Sequence, residues 1–460
     1  MAKKFRYDEF PLALENFNEK KGTYQVSLQY TREFGKLDPV PVKLKFEEIE
    51  YALGELKAVQ ELDSDEQIKL GRQLADRLLP EPVRSRFVGA VQDAGPNQGV
   101  RLRLLIRDQA LLNIPWEYTY LATGPGPEDR SQFLALNPKV SLVRHPADDK
   151  PPQDLELKEP GSIHLLVAMA NPAAPGFDDL DLALERSAIV DALDDFSVEG
   201  VKLEWKPLLE DASYQELLKR LAKKPELFHF SGHGFYSEGD EYGSLILVED
   251  KTKNSPLFLP AVDLAKLLQA SGVRLAFLGA CESSRVEGRS PWTGVAQALV
   301  ASGVPAVISM QYEVLNTAAT FFSRGFYTAL ASGLTVDESV SYGRLAMLAA
   351  SAEEEMQWGI PTLYLQAWDG VLFPQIAKQP PVVVKEVRKT IRIAIGEVEK
   401  GGKLQAIVAK RIKSDLKIKI GEIEGVARVI KSDQVDSNID VKVDRVGKGG
   451  KATILEVDDL

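Results

Sequence analysis

Apolar residues follow two rhythms between residues 162 and 370, and the alternation of those rhythms predicts the architecture. Ile163–Met169, Val201–Trp205, Leu227–Phe230, Val273–Leu278 and Val304–Met310 are short, apolar-rich runs. Such runs suit strands covered on both faces. Between them lie segments of helical spacing: Leu180–Phe196, a stretch opened by Ser213-x-x-Glu216, Ala261–Ala270 and Thr293–Ser302. The Ser-x-x-Glu pattern is a helix-starting capping box, and Gly272 and Gly303 are stop signals for the last two helices. Helices over 317–332 and 336–351 and a short strand at Thr362–Leu365 follow. Strands alternating with helices imply a mostly parallel sheet with helices on both faces, a three-layer α/β/α sandwich.

The flanks read differently. Phe46–Leu56 and Glu66–Leu79 have helical spacing, and Gly99–Arg107 alternates apolar and charged residues as a half-buried strand would. Gly124-Pro-Gly-Pro127 reads as a loop and Asp148–Gln153 as a linker. At the other end, Ile391–Val398 recurs as Leu416–Ile423 and, more loosely, as Ile439–Val446. The pattern fits a small β-domain of stacked repeats, or two or three unrelated amphipathic strands. The expected division is 1–150, an α+β region of regulatory character; 158–374, the α/β domain; and 382–460, a β-repeat domain for recognition or assembly.

Composition narrows the class. The chain has 460 residues, 44 % hydrophobic and 27 % charged, which is ordinary for globular domains. The formal net charge is −11, which gives no reason to expect nucleic acid as a partner. Residues 381–460 depart from the rest, with 17 Lys and Arg against 13 Asp and Glu and no aromatic residue. The sequence contains no long apolar stretch and no signal-peptide pattern near Met1, so a cytoplasmic protein without a membrane span is expected. A single cysteine rules out an internal disulfide. Neither metal-ligand spacing nor a phosphate-binding loop is present, so no metal and no cofactor are expected.

Cys281 is that single thiol. A lone intracellular cysteine is commonly an inert small hydrophobe. This one follows the fourth strand by way of Gly279 and Ala280, at the sheet edge where ligands and catalytic groups gather in parallel sheets. His233, between Gly232 and Gly234, holds the equivalent place after the preceding strand, 48 residues earlier. A cysteine needs a nearby base to become a useful nucleophile, and His233 suits that role. His164 and His229 fall within apolar runs and read as structural; His145 precedes Pro146 with no evident partner.

Several ordered motifs then align. Phe228-His-Phe-Ser-Gly-His-Gly234, Gly279-Ala-Cys-Glu282, Gly294-Val-Ala-Gln-Ala-Leu299, Gly303–Gln311, Phe326-Tyr-x-x-Leu330 and Trp358-Gly-Ile-Pro-Thr362 resemble the CHAT domain of the caspase-like cysteine peptidase superfamily. Asn171-Pro172 resembles the loop after the first strand of such domains, and the upstream Ile114-Pro-Trp-Glu117 resembles a motif that commonly precedes the core. The resemblance implies a caspase-like fold, Cys281 as nucleophile, His233 as general base, and the backbone N–H groups of Gly234 and Cys281 as oxyanion hole. It implies a specificity pocket from the loops Asn171–Asp181 and Gln311–Asn316, with Asn171, Asp178, Glu282, Gln311 and Glu313 as substrate-binding positions. Asp178, Asp179, Asp181 and Glu313 are placed either to pair with a basic substrate residue or to be solvated loop carboxylates. Asn316 departs from the Asp often found there in related domains.

The function expected from this resemblance is a regulated cysteine endopeptidase acting on a protein substrate, under an activating partner or ligand, in bacterial defence or cell-death signalling. The competing expectation is a non-catalytic caspase-like scaffold acting through its C-terminal β-domain.

Overall fold

The computed structural model describes residues 6–44, 64–123, 130–146, 155, 162–173, 180, 182–196, 198, 201–236, 242–250, 254–279, 291–312, 314, 316–350 and 357–372, and seven strands between 391 and 457. They form two compact units, 1–380 and 381–460. The boundary falls where the composition changes. The helix expected over Phe46–Leu56 and the linker expected at Asp148–Gln153 lie outside the described residues.

The first unit is built on an eleven-stranded sheet. Its first half comprises β1 (Arg6–Asn18), β2 (Thr23–Leu28), β3 (Val40–Lys43), β4 (Gln98–Ile106) and β5 (Val140–Pro146). Helices α1 (Ser64–Leu78) and α2 (Val83–Asp93) lie between β3 and β4 in the chain. The second half comprises β6 (Ser162–Ala170), β7 (Lys202–Glu204), β8 (Leu227–Gly232), β12 (Leu275–Gly279), β13 (Ala306–Met310) and β14 (Pro361–Leu365). Strand order is β3-β2-β1-β4-β5-β14-β13-β12-β8-β6-β7. Pairing is parallel except for β1–β2, β2–β3 and β13–β14. The segments 1–150 and 158–374 therefore share one sheet, joined through β5 and β14.

Both faces are covered, which is why the strand sequences are apolar throughout. Leu275 and Phe277 of β12 join one core, and Ala276 and Leu278 join the other. On the first face pack α3 (Leu182–Asp194), α7 (Asn316–Ala331) and α8 (Val336–Ala350), through Ile189, Phe322, Phe326 and Val340. On the second pack α4 (Tyr214–Leu221), α5 (Ala261–Ser271) and α6 (Pro291–Ala301), through Leu217, Leu264, Val295 and Leu299. The result is the expected three-layer α/β/α sandwich. Ser213 caps α4, accepting from the Glu216 N–H at 3.4 Å. Gly272 ends α5 in the left-handed region at φ 82°, a conformation that glycine adopts without strain. A side ribbon, β9 (Gly234–Phe235), β10 (Ser244–Asp250) and β11 (Ser255–Pro260), leaves the sheet just after β8.

Two sequence expectations are corrected here. β4 is buried on both faces: it is an inner strand between β1 and β5, and its charged positions are neutralised. Arg101 pairs with Glu9 and Asp337, each at 2.7 Å, and Arg103 pairs with Glu9 at 2.8 Å. His145 does have a partner: it sits on β5, buried, with Nδ1 3.0 Å from the Leu365 carbonyl.

In the second unit, β15 (Ile391–Val398), β17 (Leu416–Ile423) and β19 (Ile439–Val446) form one parallel sheet. β16 (Lys403–Ile412), β18 (Val426–Val435), β20 (Lys451–Thr453) and β21 (Glu456–Val457) form another, also parallel. Successive strands from β15 to β20 alternate between the two sheets, so the chain climbs one rung per repeat.

Candidate active site

Four neighbouring strands run in the same direction and end on one edge of the large sheet. β6 leads into Asn171, β8 into His233, β13 into Gln311, and β12 ends at Gly279, two residues before Cys281 in sequence. This is the edge where open parallel sheets bind ligands.

His233 is buried although it lies beyond its strand. Its carbonyl accepts from the Ile246 N–H at 3.0 Å, where the ribbon turns back. Its Nε2 lies 3.2 Å from Asn171 Oδ1. The Asn171 amide is itself held: Nδ2 donates to the Leu180 carbonyl at 3.2 Å, and the backbone carbonyl accepts from Asn254 Nδ2 at 3.4 Å. With Nδ2 committed to a carbonyl, the end turned to His233 is the acceptor oxygen. An acceptor oxygen at that distance calls for a proton on His233 Nε2. Asn171, expected at the specificity pocket, has its side-chain oxygen against the candidate base.

The ribbon register bears on Gly234. Antiparallel strands alternate hydrogen-bonded and non-hydrogen-bonded pairs. His233 and Ile246 are a bonded pair, so Gly234 and Leu245 are the next, non-bonded one. The Gly234 N–H therefore points away from β10.

The relation between β8 and β12 is set by their register, which pairs Ser231 with Gly279. His233 and Cys281 each stand two positions beyond that pair in sequence. Adjacent strands are about 4.8 Å apart. Cys281, Asp178, Glu282 and Glu313 lie outside the described residues.

Two glycines let the strand ends close. A Cβ on Gly232 would lie 2.6 Å from the Ala170 carbonyl oxygen and 2.8 Å from the Phe230 ring. A Cβ on Gly279 would lie 3.0 Å from Glu185 Oε1. Glu185 belongs to a buried polar cluster that the sequence reading missed. His229 Nδ1 is 2.8 Å from the Tyr327 hydroxyl, and its Nε2 is 2.7 Å from Ser231 Oγ and 3.5 Å from Glu185 Oε1. Ser323 donates to Glu185 Oε1 at 3.2 Å, and the His229 ring stacks on Phe277 at 4.4 Å. Burial first, then the Glu185 charge, pushes the Tyr327 hydroxyl well above its usual range, so it keeps its proton. One signal was available: Glu185, Ala188, Ile189 and Ala192 share the buried stripe of α3, and Glu185 is its one acidic member.

Residues 68–377 match the CHAT domain family, about two thirds of the chain. The chain belongs to the CHAT domain family. No curated protein sequence matches it. Among solved structures it is similar to the Saccharomyces cerevisiae separase–securin complex, at 12 % identity and a TM-score of 0.43, over 78 % of this chain and 30 % of that one. It is similar to the Porphyromonas gingivalis RgpB pro- and mature domains, at 13 % identity and a TM-score of 0.37, over 72 % and 78 %. It is also similar to Spodoptera frugiperda caspase-1, at 10 % identity and a TM-score of 0.30, over 49 % and 94 %. The chain thus spans about 30 % of the separase-complex chain it matches.

The CHAT domain also explains its upstream motif. Trp116 and Glu117 of Ile114-Pro-Trp-Glu117 are fully buried. Arg144 of β5, equally buried, donates to both Glu117 carboxylate oxygens and to the carbonyls of Leu112 and Ile114. It also donates to Gln311 Oε1 at 2.9 Å, while Gln311 Nε2 donates to the Asn113 carbonyl at 3.0 Å. Both ends of the Gln311 amide are engaged within the protein, so Gln311 ties the segment after β13 to the upstream motif. Among the described residues, no group of three or more His, Cys, Asp or Glu could hold a metal ion. No described helix is long and apolar enough to cross a membrane.

Proposed function

We propose that this CHAT protein is a cysteine endopeptidase working through a His233–Cys281 dyad. The observation that carries the reading is the shared count: both residues stand two positions beyond the register pair Ser231–Gly279 on adjacent parallel strands. His233 Nδ1 takes the Cys281 proton, and the thiolate attacks the carbonyl carbon of a substrate peptide bond. The N–H groups of Gly234 and Cys281 hold the oxyanion that forms. The imidazolium returns its proton to the leaving amine, and water then releases the acyl group from sulfur. Asn171 keeps the His233 ring in the tautomer this sequence of steps needs.

Asp178, Glu282 and Glu313 are the proposed substrate contacts, their carboxylates suiting a basic side chain. Gln311 acts on that pocket by holding the segment after β13 in place. The substrate is a protein, and an activating partner or ligand controls access in the cytoplasm. A role in bacterial defence or cell-death signalling rests on the family resemblance.

The single cysteine makes the test simple. Alkylation of Cys281 by iodoacetamide is followed against pH in the wild type and in His233→Ala. A primed thiolate labels fast well below pH 8.5, the ordinary thiol value, and loses that reactivity in the variant. Identical ordinary profiles in both proteins would remove the dyad.

A further inference from the structure

The C-terminal unit is a stack of rungs, and among the described residues the two end strands of its first sheet each pair on one side only. Among the described strands of its first sheet, β17 lies between β15 and β19, and these two form the edges. An edge strand presents a row of backbone donors and acceptors ready to pair with another chain.

The register within the stack shows what such a partner must carry. Ile391, Leu416 and Ile439 share one position, and Val398, Ile423 and Val446 another. Two positions between them are charged in every rung: Arg392, Lys417, Asp440 and Glu397, Glu422, Arg445. Within the chain, the first interface sets like charges opposite each other at both positions, Arg392 with Lys417 and Glu397 with Glu422. At these two positions the second sets opposite charges, Lys417 with Asp440 and Glu422 with Arg445, while Lys419 stands opposite Lys442 between them.

Continuing the same register past β19 with the β15 of a second copy gives the pattern of the better interface. Asp440 then stands opposite Arg392 of the next copy, and Arg445 opposite its Glu397. Ile439, Val441, Val443 and Val446 stand opposite Ile391, Ile393, Ile395 and Val398. We infer that the C-terminal unit joins copies of this chain head to tail, β19 of one against β15 of the next. A heterologous contact that repeats along one axis, as the rungs do within the unit, generates an open stack rather than a closed pair.

One double variant separates this contact from the internal ones. Arg392→Glu with Glu397→Lys converts both like-charge oppositions against Lys417 and Glu422 into opposite-charge ones, so the unit keeps or gains stability. The same changes oppose Glu to Asp440 and Lys to Arg445 across copies. The full chain is examined by sedimentation velocity over a hundredfold range of concentration. The wild type is expected to gain mass beyond a dimer without a plateau, with the double variant shifted at least tenfold to higher concentration. Because the variant keeps β19, it still adds to a wild-type β15 edge and then blocks growth. A minor fraction of variant therefore lowers the mean mass of a wild-type sample. Thermal unfolding of the variant at or above the wild-type temperature shows that the unit is intact. A wild type that stays monomeric, a plateau at the dimer, or a double variant that assembles like wild type overturns the inference.

Discussion

Asn171 Oδ1 lies 3.2 Å from His233 Nε2 across adjacent strands, and the Leu180 carbonyl fixes which end of the amide faces the ring. In the proposed mechanism Asn171 is a positioning residue, its oxygen calling for the Nε2–H tautomer. Asn171→Ala is expected to slow Cys281 alkylation at neutral pH about tenfold, the effect of losing ~1.5 kcal/mol of hydrogen bonding to a group that becomes charged. Asn171→Asp is expected to move the basic limb of the labelling profile upward, because a carboxylate beside the imidazole favours its charged form. A merely structural Asn171 would lower stability in both variants and leave the pH profile where it was.

Gly232 tests the same geometry from the backbone. Its missing side chain is what allows β8 to end against the Ala170 carbonyl, 2.6 Å from where a Cβ would sit. The neighbouring atom is backbone of a packed strand and cannot rotate away. Gly232→Ala is expected to cost about 1–3 kcal/mol in denaturant unfolding and to slow Cys281 labelling, since His233 is the next residue. Gly89, within α2, has nothing within 4 Å of its Cβ position. Gly89→Ala there should raise stability by about 0.5–1 kcal/mol and leave labelling unchanged.

The second half of the large sheet was legible because its strands are buried on both faces and announce themselves as apolar runs. Ile163–Met169 and Val304–Met310 match β6 and β13 to within a few residues. β1 was not legible. Its sequence, Arg6–Asn18, mixes Asp8, Glu9, Pro11 and Glu15 with apolar residues, and Glu9 is tolerated because Arg101 and Arg103 of β4 meet it. A strand stabilised by charges from a segment 90 residues away leaves no local pattern. For the same reason Gly99–Arg107 looked half exposed. At the site, His233 and Asn171 were visible as residues following strands, but the bond between them depends on which strands are neighbours. That information lies in the order β8-β6, which periodicity does not encode. Glu185 was hidden for the opposite reason: a carboxylate on an apolar helix stripe reads as solvated until the histidine on the facing strand is in place.

Glu117 and Arg144 form an ion pair with no solvent exposure on either side chain. Removing one member leaves the other buried and uncompensated, which is strongly destabilising. Glu117→Gln is expected to lower unfolding free energy by about 3–5 kcal/mol, with a matching drop in the denaturant midpoint. Gln311→Ala removes only one acceptor from the same guanidinium, so a smaller loss, about 1–3 kcal/mol, is expected. If Glu117→Gln unfolds with the wild-type midpoint, the pair does not hold the upstream motif to β5.

The lock on β1 should make stability fall in acid, with a sign that follows from two carboxyls. Burial alone would push the Asp337 and Glu9 carboxyls up. Arg101 and the Ser141 hydroxyl at Asp337, and Arg103 with Arg101 at Glu9, outweigh it and hold both below their ordinary values. In the unfolded chain the same groups bind protons near pH 4. Below that point the unfolded state is more protonated than the folded one, so stability rises with pH through this range. The contribution is therefore complete at neutral pH and is lost as pH falls below about 4 toward the depressed folded values. Urea unfolding between pH 3 and pH 7 should show wild-type stability dropping on the acid side. Asp337→Asn should be less stable at pH 7, with the gap to wild type narrowing as the pH falls. A gap that stays constant across that range would mean that the Asp337 charge does not act through Arg101.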